Sequence, residues 1–226
     1  MIQNHKIFNG TLEKAPVRKH HLLTAALTGG IATGKSVVAM VFSELGCYIF
    51  HADQEAHCLM EPGKAAYKKI ARHFGKSILN EDKTINRLKL GKIIFSDKKQ
   101  RQFLNSLIHP MVHKHRRQLI NKLEKEKKYN IFISEAALTI EAGFADFFDK
   151  IIVVFCGKNI QMRRLMERDA ISEPEAREKI NSQKSLEDEK KYADYLIDTS
   201  NDISSTVEQA EKIYRSLYMD YISQVS

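Results

Sequence analysis

Near its N-terminus the chain reads Gly29-Gly30-Ile31-Ala32-Thr33-Gly34-Lys35-Ser36, a segment with the spacing G-x-x-x-x-G-K-[ST]. Residues 22–28 precede it as an apolar run without Pro or Gly and predict a buried strand. Residues 37–45 follow with a helical pattern. A strand, a glycine turn and a helix N-terminus direct backbone N–H groups and the positive end of a helix dipole toward one point.

This arrangement predicts that the segment binds the phosphates of a nucleotide. Lys35 would reach the outer phosphates, and the Ser36 hydroxyl would hold Mg²⁺. The alternative is a tight glycine turn that only joins a strand to a helix. The flanking strand and helix favour phosphate binding.

Length and composition exclude several classes of protein. The 226 residues are enough for one α/β core with an inserted subdomain. No apolar run approaches the roughly 20 residues of a membrane span, so no membrane partner is expected. Residues 1–21 lack the apolar core of a secretory signal and are expected to form a loose leader. Three widely spaced cysteines, Cys47, Cys58 and Cys156, favour reduced thiols in a cytoplasmic protein.

The net charge of +8 suggests an anionic partner. A nucleic acid is one candidate, but the basic residues are not gathered in one arm and no nucleic-acid-binding signature is visible. A positive field also steers small, multiply phosphorylated ligands into a site. We favour small-molecule substrates and expect no nucleic-acid partner. The sequence leaves the oligomeric state open, with a monomer favoured.

The order of the apolar segments predicts a three-layer α/β fold around a parallel sheet, of the P-loop type. Beyond the first strand, further strands are predicted at 47–50, 130–134, 150–155 and 195–197, and a closing helix at 203–222. About seventy residues between the second and third strands carry only helical patterns, at 64–74, 87–95 and 98–128.

We therefore expect one domain over 22–222, with its core in 22–56 and 129–222. A helical insertion at the ligand-facing edge of the sheet would occupy about 57–128, and the step at His109-Pro110 should end or kink its last helix. Residues of about 160–191 are charged and helical, which is typical of a solvated surface or of a mobile lid over ATP.

Phosphoryl transfer requires positioned phosphates, charge neutralisation and a group that orients or deprotonates the attacking hydroxyl. Asp53 follows the second strand at the sheet edge where ligands of open α/β folds bind. It is the candidate base, and the alternative is an N-cap for a helix over 54–60. Arg164 and Arg168 share a helix face and could reach the transferred group, or pair on the surface with Glu167 or Glu173.

Three further residues are weaker candidates. His109 could contact a phosphate, cap a helix or be structural. Glu135 and Glu141 flank the exit of the third strand, where either could serve a metal or substrate or simply face solvent.

Taken together, these segments resemble the dephospho-coenzyme A kinase family over roughly residues 22–217. The matching segments are 26–36 (family pattern A-L-T-G-G-I-G-S-G-K-S), 51–53 (D-A-D), 61–63 (E-P-G), 107–110 (L-[IL]-H-P), 149–154 (D-x-[IV]-[IV]-V-V) and 161–169 (Q-x-x-R-L-x-x-R-D). Gln183 and Ala193-Asp194 fall where the family has Q and A-D.

The resemblance implies a fold like that of nucleoside monophosphate kinases and an enzyme that uses ATP and Mg²⁺. In this family ATP phosphorylates the ribose 3′-hydroxyl of dephospho-CoA, in the last step of CoA biosynthesis. Asp53 is then implied as the base, Arg164 as a phosphate and transition-state contact, and Arg168 as a lid residue near ATP. Thr28 is implied beside the phosphates, as is the whole loop to Val37. His109 and the retained Glu141 are implied on the CoA side.

The chain departs from the family pattern at several positions. Ala32 replaces a usual Gly, Val37 a usual Thr, and His51 the first Asp of D-A-D. If the position of Ala32 needs a positive φ, the loop is strained. Two other functions stay open: another P-loop small-molecule or nucleoside monophosphate kinase, and a nucleotide-dependent switch or nucleic-acid-stimulated ATPase. The absence of an N-K-x-D segment argues against a GTPase.

Overall fold

The computed structural model of the protein describes residues 22–136, 139 and 143–225. The predicted leader 1–21 and Glu141 lie outside this part of the chain. Five strands form a single parallel sheet in the order β2-β3-β1-β4-β5. The strands are β1 (Leu23–Thr28), β2 (Tyr48–His51), β3 (Ile131–Glu135), β4 (Lys150–Phe155) and β5 (Tyr195–Asp198). The predicted parallel sheet is confirmed, and each predicted strand lies within one residue of its observed bounds.

The central strand β1 is buried along its whole length, as expected for a parallel strand covered on both faces. The helices of the sheet layers are α1 (Lys35–Glu44), α6 (Lys158–Asp169), α7 (Glu173–Asn181), α8 (Leu186–Lys190) and α9 (Ile203–Val225). Helices α1 and α9 cover one face, where Phe42 and Leu217 pack against Leu27 and Ile152. The helix predicted at 37–45 is α1, which begins two residues earlier than predicted, at Lys35.

Four helices lie between β2 and β3: α2 (Ala52–Leu59), α3 (Ala65–Phe74), α4 (Arg87–Ser96) and α5 (Lys98–Glu126). They enclose a hydrophobic cluster of their own, in which Ile70, Ile78 and Leu90 are buried. In the described part of the chain, no helix is both long enough and apolar enough to cross a membrane.

Helix α5 continues through Pro110, so of the two expected outcomes, an end or a kink, the end is wrong and the kink stays a prediction. A proline inside a helix costs about 3 kcal/mol, because it removes one hydrogen bond and crowds the preceding turn. The apolar contacts on both sides of the proline offset this cost. Leu104 and Ile108 are buried in the cluster among α2–α5, whereas Ile120 and Leu123 pack against the sheet.

Candidate active site

The phosphate-loop segment, residues 29–34, connects β1 to α1 at the carboxyl edge of the sheet. Gly29 has a φ of 141°, and a Cβ there would lie 2.1 Å from the Val154 carbonyl oxygen, so only glycine fits. Gly34 is the N-cap of α1 with a φ of 89°. Because this N-cap has no side chain, the first N–H groups of α1 are open to an anion, and the helix dipole favours one there.

Ala32 also lies in the left-handed region, with a φ of 58°. The condition for strain in the loop is therefore met at a position where the family pattern has glycine. Left-handed residues at Ala32 and Gly34 turn successive N–H groups toward one side of the loop, which makes an anion-binding concavity.

Replacing Ala32 by Gly is expected to raise the free energy of unfolding by up to about 1 kcal/mol, because glycine adopts a positive φ without the Cβ penalty. For a chain of this size, that corresponds to a rise of roughly 2–4 °C in melting temperature, measured without ligand. Ala170, with a φ of 51° at the C-cap of α6, is the matched control, since Ala170→Gly should give a similar gain. A gain at Ala170 with none at Ala32 would contradict strain in the loop.

Lys35 folds back over the loop that precedes it. Its Nζ donates to the carbonyl oxygens of Gly29 at 2.7 Å and Gly30 at 2.9 Å. Burial lowers the pKa of Lys35, whereas the carboxylates of Glu135, Asp53 and Glu189 raise it. Desolvation makes the electrostatic contacts of this ammonium group stronger than those of a surface lysine.

A cavity of about 670 Å³ opens in front of the loop. It brings together most of the predicted site residues, namely Ile31 to Val37, Asp53, Glu135, Arg164 and Arg168. Gln183 and Thr199 also line it. Thr28 is fully buried behind the loop rather than in the cavity lining. Basic groups and carboxylates therefore face the same space, as phosphoryl transfer requires.

Asp53 lies in the first turn of α2. The helix begins at Ala52 and its N-cap is His51, so the alternative in which Asp53 caps a helix over 54–60 is wrong. A carboxylate in the first turn is stabilised by the helix dipole. This placement leaves Asp53 on the cavity wall, on the same side as Glu135 and within electrostatic reach of Lys35.

His51 contacts the carboxylate of Glu135. The two residues are register partners on β2 and β3, and His51 Nδ1 lies 2.5 Å from Glu135 Oε2. An Asp at position 51, as in the family pattern, would place a second carboxylate beside Glu135. The histidine instead supplies a hydrogen-bonding partner for it.

Arg164 is bound to the end of β5 rather than to surface carboxylates. Its Nη1 donates to Thr199 Oγ1 at 3.0 Å and its Nη2 to the Thr199 carbonyl oxygen at 2.8 Å. Thr199 Oγ1 in turn donates to the Thr33 carbonyl oxygen at 2.7 Å. The arginine is thus connected to the phosphate loop through one buried hydroxyl. The proposed surface pairing with Glu167 or Glu173 is wrong for Arg164, and Glu173 pairs with Arg177 instead.

Arg168 pairs with its neighbour Asp169 at 2.8 Å, and Lys179 contacts the same carboxylate. Hydrogen bonds from Arg168 and Lys179 lower the pKa of Asp169 to about 2. Arg168 therefore has a surface partner, though neither of the two acidic residues considered from the sequence. Its side chain also lines the cavity.

His109 lies in the middle of α5, so it does not cap a helix, and it lies outside the cavity lining. Its ring meets the ring of Phe144 edge-on at 5.4 Å, and burial lowers its pKa. One turn later, His113 contacts Phe144 and Phe147, and burial lowers the pKa of His113 to about 4. Both rings form part of an aromatic cluster between α5 and residues 144–147.

The oxygen donors in the cavity suit Mg²⁺. Ser36, Asp53 and Glu135 line the same space. Across residues 22–136, 139 and 143–225, no three His, Cys, Asp or Glu side chains are grouped to hold a metal ion. Mg²⁺ usually binds through one or two protein oxygens together with substrate phosphates and water, and the donor set fits that mode.

Sequence reasoning missed several residues in and around the site, among them Glu189 and Thr199. Glu189 on α8 is 2% exposed, and its carboxylate raises the pKa of Lys35. Thr199 links Arg164 to the loop. Neither position carries a recognisable signal, because Glu189 lies in a charged segment typical of a surface and Thr199 directly follows a short strand.

Comparisons with known proteins agree with this geometry. The family model described as dephospho-CoA kinase matches residues 23–205. A dephospho-CoA kinase from Carboxydothermus hydrogenoformans is 42% identical, over 81% of this chain and 88% of that protein. A dephospho-CoA kinase domain-containing protein from Danio rerio is 39% identical, over 87% of this chain and 86% of that protein.

Solved structures give the same result. The dephospho-CoA kinase from Campylobacter jejuni superposes with a TM-score of 0.63 at 28% identity, covering 86% of this chain and 96% of that one. A Thermus thermophilus protein at 23% identity shares the fold, with a TM-score of 0.75 and coverage of 87% and 97%. The matched model spans the phosphate loop, Asp53 and both cavity arginines. The chain belongs to the dephospho-CoA kinase family.

Proposed function

We infer that this protein transfers the γ-phosphoryl group of ATP to the ribose 3′-hydroxyl of dephospho-CoA, giving CoA and ADP in the last step of CoA biosynthesis. The observation that carries this inference is the single cavity that joins the phosphate loop, Lys35 and Asp53. Membership of the family supplies the acceptor.

On the donor side, the open N–H groups of the phosphate loop and of the start of α1 hold the phosphates of ATP, together with Lys35. Arg164 offsets the charge that develops on the transferred group, and Arg168 contacts the phosphates from the lid. Fixed donors of this kind act in a water-poor site without reorganising during the reaction. The hydrogen bonds of Thr199 to Arg164 and to the Thr33 carbonyl oxygen fix the position of Arg164 relative to the loop.

On the acceptor side, Asp53 accepts the proton of the 3′-hydroxyl or orients it. A positioned base contributes about 10²- to 10⁴-fold to such a step. The helical insertion of about 57–128, which contains α3, α4 and α5, forms the subdomain that binds the rest of dephospho-CoA, with His109 and Glu141 on that side. Residues of about 160–191 form the lid, and 22–222 act as one domain with its core in 22–56 and 129–222.

Mg²⁺ is the proposed metal, held by the Ser36 hydroxyl and the ATP phosphates. When bound, it neutralises charge on the phosphate oxygens. Either Asp53 or Glu135 can supply a further oxygen from the same cavity.

The location is proposed to be cytoplasmic, since all three cysteines are free thiols, as is typical of a reducing compartment. The working unit is proposed to be a monomer, and no nucleic-acid partner is proposed, because the basic residues are spread along the sequence rather than gathered in one arm.

A coupled ADP-release assay tests the acceptor. Dephospho-CoA should support turnover with kcat/KM at least about 100-fold above AMP, CMP, shikimate and gluconate, since a site built to hydrogen-bond one substrate rejects analogues strongly. Turnover restricted to a mononucleotide or small metabolite would favour the other P-loop kinases. ATP hydrolysis stimulated by RNA or DNA, with a steep salt dependence, would favour a nucleic-acid-linked ATPase.

A further inference from the structure

Two glutamine side chains hold the backbone of Ile31, in the middle of the phosphate loop. Gln183 Oε1 accepts from the Ile31 N–H at 2.6 Å. Gln161 Nε2 donates to the Ile31 carbonyl oxygen at 2.8 Å. Both polar groups of this residue are therefore occupied by side chains distant in sequence. We call this pair of contacts the glutamine clamp.

The clamp connects the loop to both ends of one helical segment. Gln161 lies in the first turn of α6, and Gln183 lies just after α7. Arg168, which faces the cavity, is located on α6 between them. A movement of this segment away from the loop would break one or both contacts with Ile31.

The clamp also explains why Gly30 has no side chain. Unlike Gly29 and Gly34, Gly30 does not adopt a positive φ. A Cβ at Gly30 would lie 2.8 Å from Gln161 Nε2 and 3.6 Å from Gln183 Oε1. A side chain at Gly30 would therefore displace the Gln161 amide, whereas Gln183 lies at an ordinary contact distance and the backbone conformation itself does not call for glycine.

We propose that Gln161 and Gln183 are positioning residues that fix the shape of the phosphate loop and couple it to the lid. The Ile31 N–H is committed to Gln183 and the Thr33 N–H to the Gly30 carbonyl oxygen, so the N–H groups of Ala32 and of residues 34–36 remain for the phosphates. A strained backbone conformation such as that of Ala32 is maintained only where the surrounding structure fixes it. The glutamine clamp helps to fix it, because it holds the preceding residue, Ile31. This proposal rests on the proposed function only for ATP as the ligand of the loop.

The coupling is reciprocal, as for any linked pair of equilibria. If the clamp supports ATP binding, bound ATP must in turn favour the state in which the lid segment contacts the loop. Hydrogen exchange of α6 and α7 should therefore slow when ATP is added to the wild-type protein. The protection should be smaller when either glutamine is replaced.

Gln161→Met, Gln183→Met and the double variant test the clamp, because methionine keeps the length of the side chain without the amide. Each single variant should raise the Kd for ATP, measured by calorimetry without acceptor, by about 5- to 10-fold, the size of one lost hydrogen bond. The double variant should raise the Kd for ATP little more than the single variant with the larger effect, since both glutamines act through the same backbone residue, Ile31. The KM for dephospho-CoA should stay within about twofold of wild type.

Gln100→Met is the matched control, since the Gln100 amide hydrogen-bonds to His73 at 2.7 Å, between α5 and α3 and away from the phosphate loop. A lower melting temperature with an unchanged Kd for ATP in the clamp variants would overturn the proposal, and so would fully multiplicative effects in the double variant. The binding titration needs no acceptor. If ATP binding responds as expected but dephospho-CoA is not phosphorylated, the proposed acceptor is wrong and the clamp stands.

Discussion

Replacing Asp53 by Asn is expected to lower kcat by about 10³-fold, within the range measured for a lost general base, and to leave the Kd for ATP within about twofold. Asparagine has nearly the same shape but cannot accept the proton of the acceptor hydroxyl. Asp53 lines the cavity from the first turn of α2, within electrostatic reach of Lys35. Steady-state turnover with dephospho-CoA and calorimetric titration with ATP measure the two quantities separately.

Glu55→Gln is the matched control for Asp53→Asn. Glu55 is in the same first turn, but its carboxylate contacts His115 on α5 at 2.6 Å and lies outside the cavity lining. The Glu55→Gln variant loses the same favourable interaction with the helix dipole, worth about 0.3–1 kcal/mol, but the substituted side chain does not contact the substrates. Near-normal turnover in Asp53→Asn, or equal losses in the two variants, would show that Asp53 acts only on the helix.

Replacing Lys35 by Met is expected to lower kcat/KM by at least about 10³-fold and to weaken ATP binding at the same time, since a charge in a desolvated site stabilises both ground and transition states. Methionine retains most of the apolar stem and removes the ammonium group. Without it, Glu135 and Asp53 face the phosphates with less positive charge between them. Calorimetry and turnover should therefore change together, unlike in Asp53→Asn.

Lys150→Met is the control for charge alone. Lys150 is the first residue of β4, so it lies at the amino ends of the strands, opposite the carboxyl ends where the phosphate loop lies. It pairs with Asp220 on α9 at 3.1 Å. Removing that charge leaves the net charge of the protein equal to that of Lys35→Met and should leave the Kd for ATP unchanged. An ATP affinity in Lys35→Met equal to that of Lys150→Met would contradict phosphate binding by the loop.

The sheet could be predicted from sequence because each of its strands is a short apolar run with clear ends. The run 150–155 is bounded by charged and small residues, and its prediction agrees with the structure at both ends. The phosphate loop was equally clear, since glycine spacing, strand and helix all indicated one structure. Local signals and the fold agree at these positions, as expected for a minimally frustrated sequence.

Helix α5 shows where local signals fail. Pro110 predicts a break, but contacts from distant parts of the chain outweigh its cost. The same reason explains the missed N-terminus of α2. Asp53 is a good N-cap by residue type, yet strand β2 extends to His51 through its pairing with β3, which moves the N-cap two residues earlier.

The contacts around the loop could not be predicted because they join residues far apart in sequence. Thr199 is 166 positions from Thr33, and Gln183 is 152 positions from Ile31. No periodicity relates such positions, and only the folded sheet brings them together. The sequence did raise the possibility of a strained Ala32, because the family pattern has glycine there, and the observed φ of 58° meets that condition.

The most direct test of the central claim is a crystal structure with a non-hydrolysable ATP analogue, Mg²⁺ and dephospho-CoA bound together. We expect the triphosphate against residues 29–36, with Lys35 Nζ on its outer oxygens. The Asp53 carboxylate should lie about 2.6–3.2 Å from the ribose 3′-oxygen, the reach of a general base. A triphosphate bound elsewhere, or a 3′-oxygen that faces Glu135 instead of Asp53, would contradict the account.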